Sequence, residues 1–514
     1  MKIKSIISQN KLFFQVLFVW LLFFVVALFL EYHKILFYRP QGIHFIRQTD
    51  SLSFVANYYR HGMNFFEPRV FSLNSTDGKA ACEFPLIYYF VAILYNIFGE
   101  REFLLRLVNV LIVFTGFFFL YKIILEFLKD YFYAVCLTFI FFSSSVLIYY
   151  TNNFLPDTAA LGFTLIGWWF FFKFIRSGKN MDLYVSISFF TIASLIKVTY
   201  IINPLTVLSL FLLETLKFKI RDKNIFKSKI PSVISFSICM LLIFSWSIFV
   251  RKYNSLNNDY YFLTGICPIW ELSKHEIAVT WDYIIRYWYT KYYFQSTFHV
   301  FCIFIIFGLL FIKKSSRLPA LLTYILFAGS ICYFVLFYIK FRDHDYYFIT
   351  FIPVIIFLIV NALLTFKNKF PKIFNSIFIK AAFLLLAVLS LNYGKLNLHR
   401  RYNNNKGDKF ANIGIVIKDT GKQLDSSGIS TYAKFIVVTD FTPNGSLYFL
   451  KRSGWTIQDT SKVALKRFEE CATNGADYVL LTDKAYAENP DICKYLGELK
   501  GEYNSILIYK VNAH

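Results

Sequence analysis

The chain has few charged residues, and acids are the scarcer kind. Only 17% of its 514 residues are Asp, Glu, Lys or Arg, whereas 57% are hydrophobic, and the 54 basic residues outnumber the 32 acids. The mean hydropathy is +0.49. A soluble fold cannot bury so much apolar surface, so the composition excludes the soluble classes. It predicts an all-α polytopic membrane protein.

Several familiar signatures are missing from the sequence. There is no Gly-rich phosphate-binding loop, which argues against a nucleotide substrate. The eight cysteines show no metal-site spacing. Cys471 and Cys493 share the C-terminal region that is predicted below to lie outside, where a disulfide could form, but spacing alone establishes no pairing.

The formal net charge of +22 invites a nucleic-acid partner. We reject that partner because the excess Lys and Arg lie in short loops between apolar runs, the pattern that orients helices in a membrane. These basic loops are at about 2–11, 122–129, 173–179, 217–229, 313–317 and 367–372.

About eleven transmembrane helices can be drawn in the sequence. The first is interpreted as an anchor, because no small-residue cleavage site follows it. The predicted spans are 12–30, 103–121, 131–149, 157–175, 183–197, 198–214, 232–250, 297–312, 319–339, 346–364 and 373–392.

The apolar run 84–98 is excluded from the spans and interpreted as an interfacial helix. Its length of about 15 residues is short of the ~20 that a span needs. Counting it would also turn every later basic loop outward. These choices predict a protein of the bacterial inner (cell) membrane with a cytoplasmic N-terminus. Long outer loops are then expected at 31–102 and 251–296.

The composition changes near residue 395, which divides a transmembrane domain, 1–394, from a small C-terminal α/β domain, 395–514. An odd number of spans places this tail outside, where we expect it to select or position an acceptor. Alternating apolar patterns predict strands and helices. The strands are Phe435–Asp440, Tyr478–Thr482 and Ser505–Val511, and the helices are Lys462–Ala472 and Asp491–Leu499.

Three acidic motifs fall at outer helix ends, where carboxylates are costly and usually functional. Each acid could act in proton transfer or substrate binding, or could simply be a helix N-cap. Asp50 also begins a predicted short helix, Asp50–Tyr59. The motifs are Arg47-Gln48-Thr49-Asp50, Glu83-Phe84-Pro85-Leu86 and Leu155-Pro156-Asp157-Thr158.

Basic side chains are predicted on the same side as these acids. Lys and Arg are natural partners for phosphate oxygens, although basic residues at span ends also extend towards lipid headgroups without further function. The candidates are Arg106, Lys197 and the run Arg342-Asp343-His344-Asp345-Tyr346-Tyr347.

With these motifs, residues 10–365 resemble the GT-C superfamily of integral membrane glycosyltransferases. The resemblance is greatest to the branch of protein O-mannosyltransferases and lipid A aminoarabinose transferases (glycosyltransferase family 39 type). That branch commonly has a Pro-Pro pair after the second acid. Here Phe84-Pro85 stands instead, which puts the role of Glu83 in doubt.

The resemblance implies an inverting transfer of a sugar from a polyprenyl-phosphate donor to a hydroxyl of a lipid, glycan or protein acceptor. It makes Asp50 the general base, with Glu83 and Asp157 orienting sugar or acceptor. Some relatives use a divalent metal, Mg or Mn, and others use none. The implied phosphate-binding residues are Arg47, Arg106, Lys197, Arg342, His344 and Tyr346.

Three other classes were weighed. A transporter or flippase of lipid-linked glycans would predict charges deep within spans and paired halves with broken helices, and neither is evident. An outer-face glycan ligase or polymerase would use similar lipids and stays open. A receptor or scaffold would leave the acids at the outer helix ends unexplained.

Overall fold

The protein is mainly helical and divides into two compact units. The computed structural model describes residues 2–221, 223–262, 265–311, 317–403, 409–459, 461–503 and 505–512, with the backbone alone for 2–13 and 409. The first unit comprises Met1–Phe37, Arg106–Trp246 and Gly265–His399. The second comprises Tyr38–Leu105, Ser247–Thr264 and Arg400–His514. The division at residue 394 stays a prediction, since the contacts group the first long loop with the tail.

Among the residues that the structure describes, seven helices are long and apolar enough to cross a membrane, by length and composition. This part of the fold follows from the long apolar runs, because a helix satisfies its own backbone hydrogen bonds in lipid. The seven are Phe103–Leu128, Asp157–Ser177, Val198–Thr215, Lys229–Leu256, Arg317–Leu336, Asp345–Lys369 and Ile377–Asn403.

Counting each of two bent helix pairs as one span raises the number to nine within the described residues. Tyr131–Phe142 meets Ser145–Thr151 at 79°, and Lys274–Tyr292 meets Gln295–Leu310 at 100°. Of the two remaining predicted spans, 12–30 lies mainly in the helix Lys2–Phe29 and 183–197 lies mainly in the 17-residue helix Asn180–Ile196. Within the described residues each predicted span therefore lies mainly in helix, although Asn180–Ile196 is shorter than a full crossing. Lys313, Lys314 and the end of the predicted 297–312 span lie outside the described residues.

The second unit contains a five-stranded sheet with the order β2-β1-β3-β5-β4. β1 is parallel to β2 and β3, whereas β5 is antiparallel to β3 and β4. The helix Lys462–Thr473 packs against this sheet. The strands are β1 (Phe435–Val438), β2 (Gly454–Ile457), β3 (Tyr478–Leu481), β4 (Leu496–Tyr503) and β5 (Ile506–Val511).

The predicted α/β tail is thus confirmed as a small sheet with helices, but the predicted helix Asp491–Leu499 is wrong. Only Pro490–Cys493 is helical, and β4 begins at Leu496. The reason is that Leu496 pairs with Val511 of the neighbouring strand, and such tertiary pairing overrides local propensity. Cys471 is buried and Cys493 is exposed, and both are free thiols.

The second unit also contains helices from the first long loop. Phe45–Arg60 and Leu86–Phe98 pack against each other, and Gly445–Leu450 from the tail packs against the first of them. Leu86–Phe98 has 13 residues. That length fits the prediction that this apolar run does not span a membrane.

In the first unit, two glycines bring the Phe103–Leu128 and Asp157–Ser177 helices into close approach. A Cβ at Gly116 would lie 2.5 Å from the Cα of Gly162. Small residues at such crossings let helix backbones pack closely in membranes.

We therefore expect Gly116→Ala to lower the thermal unfolding midpoint in detergent, because overpacking a tight contact costs about 1–3 kcal/mol. Gly329→Ala is the matched control, since its Cβ would make an ordinary contact at 3.5 Å within another helix. Equal midpoints for the two variants would show that the close approach at Gly116 does not contribute to thermal stability.

Candidate active site

A buried carboxylate occupies the middle of the Phe45–Arg60 helix. Asp50 is only 1% exposed. Its Oδ2 accepts a hydrogen bond from the Tyr261 hydroxyl at 2.9 Å and lies 3.7 Å from a guanidinium nitrogen of Arg47. The other oxygen, Oδ1, is buried and accepts no hydrogen bond of ordinary geometry within the described residues. Burying an acid is unfavourable, so this carboxylate invites a functional explanation.

Arg47 contacts a second carboxylate as well as Asp50. Its guanidinium pairs with Glu83 at 2.5 Å, and the Glu83 side chain is 6% exposed. One cation therefore serves two acids. We call Arg47, Asp50, Glu83 and Tyr261 the Asp50 cluster. All four belong to the second unit.

The environment shifts the proton affinity of Asp50. Burial raises its pKa from 3.8 to about 7, against the opposing effects of the Arg47 charge and the Tyr261 hydrogen bond. The negative charge of Glu83 adds to the increase. A carboxyl group with a pKa near neutrality can accept a proton efficiently at physiological pH.

Two neighbours of Asp50 were missed from the sequence. Tyr261 lies in the predicted outer loop 251–296, where no local pattern distinguishes it from its neighbours. Asn444 belongs to the tail, yet its side-chain amide donates to the Thr49 carbonyl at 3.4 Å and its oxygen accepts from the Phe71 backbone at 3.1 Å. The Asn444-Gly445 dipeptide signals a turn, but no local pattern indicates its distant partners.

The first unit holds a second charged group of predicted site residues. Lys197 pairs with Asp157 at 2.8 Å, and their side chains are 15% and 4% exposed. The Lys197 ammonium also lies 5.0 Å from the Tyr346 ring centroid and 4.8 Å from that of Tyr347. We call these four residues the Asp157 cluster. Lys197 is largely buried, which contradicts the alternative that it extends into the headgroup region.

Only part of the run 342–347 lies beside the Asp157 cluster. His344 stacks on Tyr346 and Tyr347 with ring centroids 5.2 and 5.8 Å away. Asp345 is fully buried and accepts a hydrogen bond from the Tyr150 hydroxyl at 2.7 Å. Arg342 and Asp343 instead pair with each other at a more exposed position.

Arg106 is fully buried in the first turn of its helix. Its guanidinium donates a hydrogen bond to the Asn152 carbonyl and lies 3.9 Å from the Phe154 ring centroid. Asn109, one turn later, donates to the carbonyls of Asn153 and Leu155. These contacts hold the segment that leads into Asp157.

The alternative that the three acids are N-caps is wrong. Asp50 is the sixth residue of a helix whose N-cap is His44. Pro85 and Pro156 occupy the other two N-cap positions, so Glu83 lies before its helix and Asp157 is the first residue within its own. A proline already fixes φ at a helix start, which leaves both acids available for other contacts.

A divalent metal would need several close ligands. Across the part of the chain that the structure describes, no three His, Cys, Asp or Glu side chains are grouped closely enough to hold one. Asp50 and Glu83 share Arg47 instead, so the described carboxylates do not form a metal centre by themselves.

The comparisons with known proteins agree with this fold. The sequence model of the family described as dolichyl-phosphate-mannose-protein mannosyltransferase matches residues 81–249. The crystal structure of ArnT from Cupriavidus metallidurans bound to undecaprenyl phosphate superposes with a TM-score of 0.58 at 12% identity, covering 95% of this chain and 97% of that one. The chain therefore resembles the GT-C superfamily in fold, and its residues 81–249 match the mannosyltransferase sequence model.

A second GT-C structure has the same architecture. The oligosaccharyltransferase of Archaeoglobus fulgidus in complex with Zn and sulfate superposes with a TM-score of 0.55 at 12% identity, covering 90% of this chain and 68% of that one. No curated protein matches the chain significantly. The predicted GT-C resemblance and fold class are confirmed, and the apolar helices are those of an integral membrane protein.

The Asp157–Lys197 pair generates a prediction about stability. We expect Lys197→Met to lower the thermal midpoint markedly, because removing one partner of a buried ion pair costs about 3–5 kcal/mol. Adding Asp157→Asn should recover most of the loss, since no uncompensated charge then remains. Lys372→Met, at an exposed lysine, is the control. A single variant as stable as wild type would show that the pair carries no weight.

Proposed function

We propose that the protein transfers a sugar from a polyprenyl-phosphate donor to a hydroxyl of a cell-envelope lipid, glycan or protein. The lipid donor is supported by GT-C structures of similar fold. ArnT was solved with undecaprenyl phosphate, and the oligosaccharyltransferase AglB of A. fulgidus was solved with an inhibitory peptide and a dolichol-phosphate. The proposal names the acceptor by chemical class only and does not specify the sugar.

The observation that carries the proposal is the buried Asp50 carboxylate with its pKa near 7. In the proposed reaction, Asp50 takes the proton from the acceptor hydroxyl. The hydroxyl oxygen attacks the anomeric carbon of the sugar, and the bond from that carbon to the phosphate oxygen breaks. Polyprenyl phosphate leaves with both electrons of that bond. A direct displacement of this kind inverts the anomeric configuration.

The other residues of the Asp50 cluster tune this base. Arg47 stabilises the ionised carboxylate, and the Tyr261 hydroxyl fixes the orientation of Oδ2. Glu83, predicted to orient sugar or acceptor, also holds the Arg47 guanidinium. Arg47 is therefore proposed to act through Asp50 rather than on a donor phosphate.

Among the proposed phosphate-binding residues, the contacts favour Lys197. Its ammonium lies over two tyrosine rings and beside Asp157, and a fixed cation stabilises charge that develops on a leaving phosphate. The Tyr346 ring lies beside the same ammonium and His344 stacks on that ring, and both are proposed to support Lys197. Arg106 is proposed to position the segment before Asp157. Arg342 is more exposed and pairs with Asp343, so its phosphate-binding role stays a prediction from the sequence.

The location is also a proposal. The basic loops favour a cytoplasmic N-terminus, which places the tail outside a bacterial inner membrane. The acids at the predicted outer helix ends then share the compartment in which the sugar-lipid is displayed.

We expect Asp50→Asn to reduce release of polyprenyl phosphate by at least about 100-fold, because loss of a general base typically costs 10²–10⁴ in rate. The assay incubates purified protein with a panel of polyprenyl-phosphate sugars and a membrane acceptor. Asp77→Asn is the matched control, since Asp77 is an exposed carboxylate of the same unit. Full activity of a folded Asp50→Asn protein would show that Asp50 is not the general base.

The rate should depend on pH with an inflection near 7, because only ionised Asp50 accepts a proton and burial raises its pKa to about 7. Activity rises as pH increases through that value. Tyr261→Phe removes a hydrogen bond that lowers the pKa, so it should move the inflection upward by roughly one pH unit. Glu83→Gln removes a charge that raises the pKa, so it should move the inflection downward.

Tyr260→Phe is the control for this series, since the neighbouring Tyr260 is exposed. The measurement is kcat/KM as a function of pH for wild type and the three variants. Shifts of the same sign in Tyr261→Phe and Glu83→Gln would contradict the assignment of the inflection to Asp50.

A further inference from the structure

A cavity of about 570 Å³ lies in the first unit, among helix ends unrelated to the Asp157 cluster. It is bordered by the ends of the Phe103–Leu128 and Asp157–Ser177 helices, the start of Arg317–Leu336 and part of the connection after Thr215. All of these lie at the ends that the sequence predicts as cytoplasmic. The cavity has no part in the proposed transfer.

The separation from Asp157 can be measured along one helix. Asp157 begins the Asp157–Ser177 helix, and Arg176 of the cavity lies in its last turn. At about 1.5 Å per residue the two positions are roughly 28 Å apart, close to the thickness of a bilayer core. The cavity and the Asp157 cluster therefore lie at opposite ends of a span.

The lining combines positive charge with apolar walls. Four basic side chains face one acid, Glu126, which pairs with Arg176. The Arg176 guanidinium also lies 5.0 Å from the Trp169 ring centroid. The basic residues are Arg176, Lys219, Arg221 and Arg317, and the apolar walls include Phe127, Phe172, Ile220 and Leu318.

The connection that carries Lys219 and Arg221 is held in place. The Glu214 carboxylate accepts backbone hydrogen bonds from Ile225 and Phe226 at 2.8 Å each. Phe226 is buried against Phe174 and Phe211, with ring centroids 5.7 and 5.3 Å away. These anchors fix the wall of the cavity, so it needs no ligand to form.

We propose that this cavity binds the headgroup of an anionic phospholipid from the leaflet on the basic side. The excess of positive charge matches a lipid phosphate, because Arg and Lys are its usual partners. The apolar walls match the first carbons of the acyl chains. A soluble phosphate would satisfy the charges but would leave those walls in contact with water, which is unfavourable.

The test compares lipid retention by purified full-length protein, measured by native mass spectrometry with phosphatidylglycerol or phosphatidylcholine. The cavity variant is Lys219→Gln/Arg221→Gln/Arg317→Gln. The matched control, Lys223→Gln/Lys229→Gln/Lys372→Gln, removes the same charge from exposed positions on the same predicted side. We expect phosphatidylglycerol to bind roughly a hundredfold more weakly to the cavity variant, with little change in the control. Equal losses in both would overturn the proposal.

Wild-type protein provides a second measurement that needs no variant. A photoreactive phosphatidylglycerol should crosslink to peptides containing Glu126, Arg176, Arg221 or Arg317, and excess unlabelled phosphatidylglycerol should suppress the labelling. Crosslinks found only elsewhere would overturn the proposal. Suppression by inorganic phosphate at the same concentration as lipid would overturn it too, since the site would then recognise the free anion.

Discussion

The burial of one carboxylate is the constraint on which the proposed site depends. Asp50 is held away from water on a helix whose other contacts must compensate for that cost. A nearby guanidinium supplies part of the compensation and a tyrosine hydroxyl supplies more. The guanidinium is itself divided between two acids, so the compensation is incomplete. This incompleteness keeps the pKa near neutrality.

The C-terminal tail belongs to the same compact unit as the first long loop, which carries Asp50. Lys451 and Arg60 both pair with Glu100, and the Tyr448 hydroxyl donates to Glu102 at 2.7 Å. These contacts join the first long loop to the C-terminal region. Deleting the tail would therefore disturb the helix that carries Asp50, and a loss of activity in that truncation would not isolate acceptor selection.

The sequence predicted the parts of the fold and site that depend on local pattern. Long apolar runs indicated the helices, and the acids at their ends pointed to Asp50 and Asp157. What it could not predict depends on distant residues. Tyr261 reaches Asp50 across 211 positions of sequence, and β4 forms because β5 lies beside it. The capping alternatives failed because prolines already occupied two of the helix starts.

The raised pKa of Asp50 also affects how the stability of the folded protein depends on pH. The folded state holds the Asp50 proton more tightly than an unfolded chain does, so its contribution to stability is greatest below pH 4 and is lost as pH rises through about 7. Above pH 7 the folded wild-type protein contains a buried, ionised carboxylate, which is unfavourable. A neutral amide at position 50 would avoid that cost. If Asp50 is the proposed base, selection for thermal stability alone would favour its replacement by an amide and so the loss of activity.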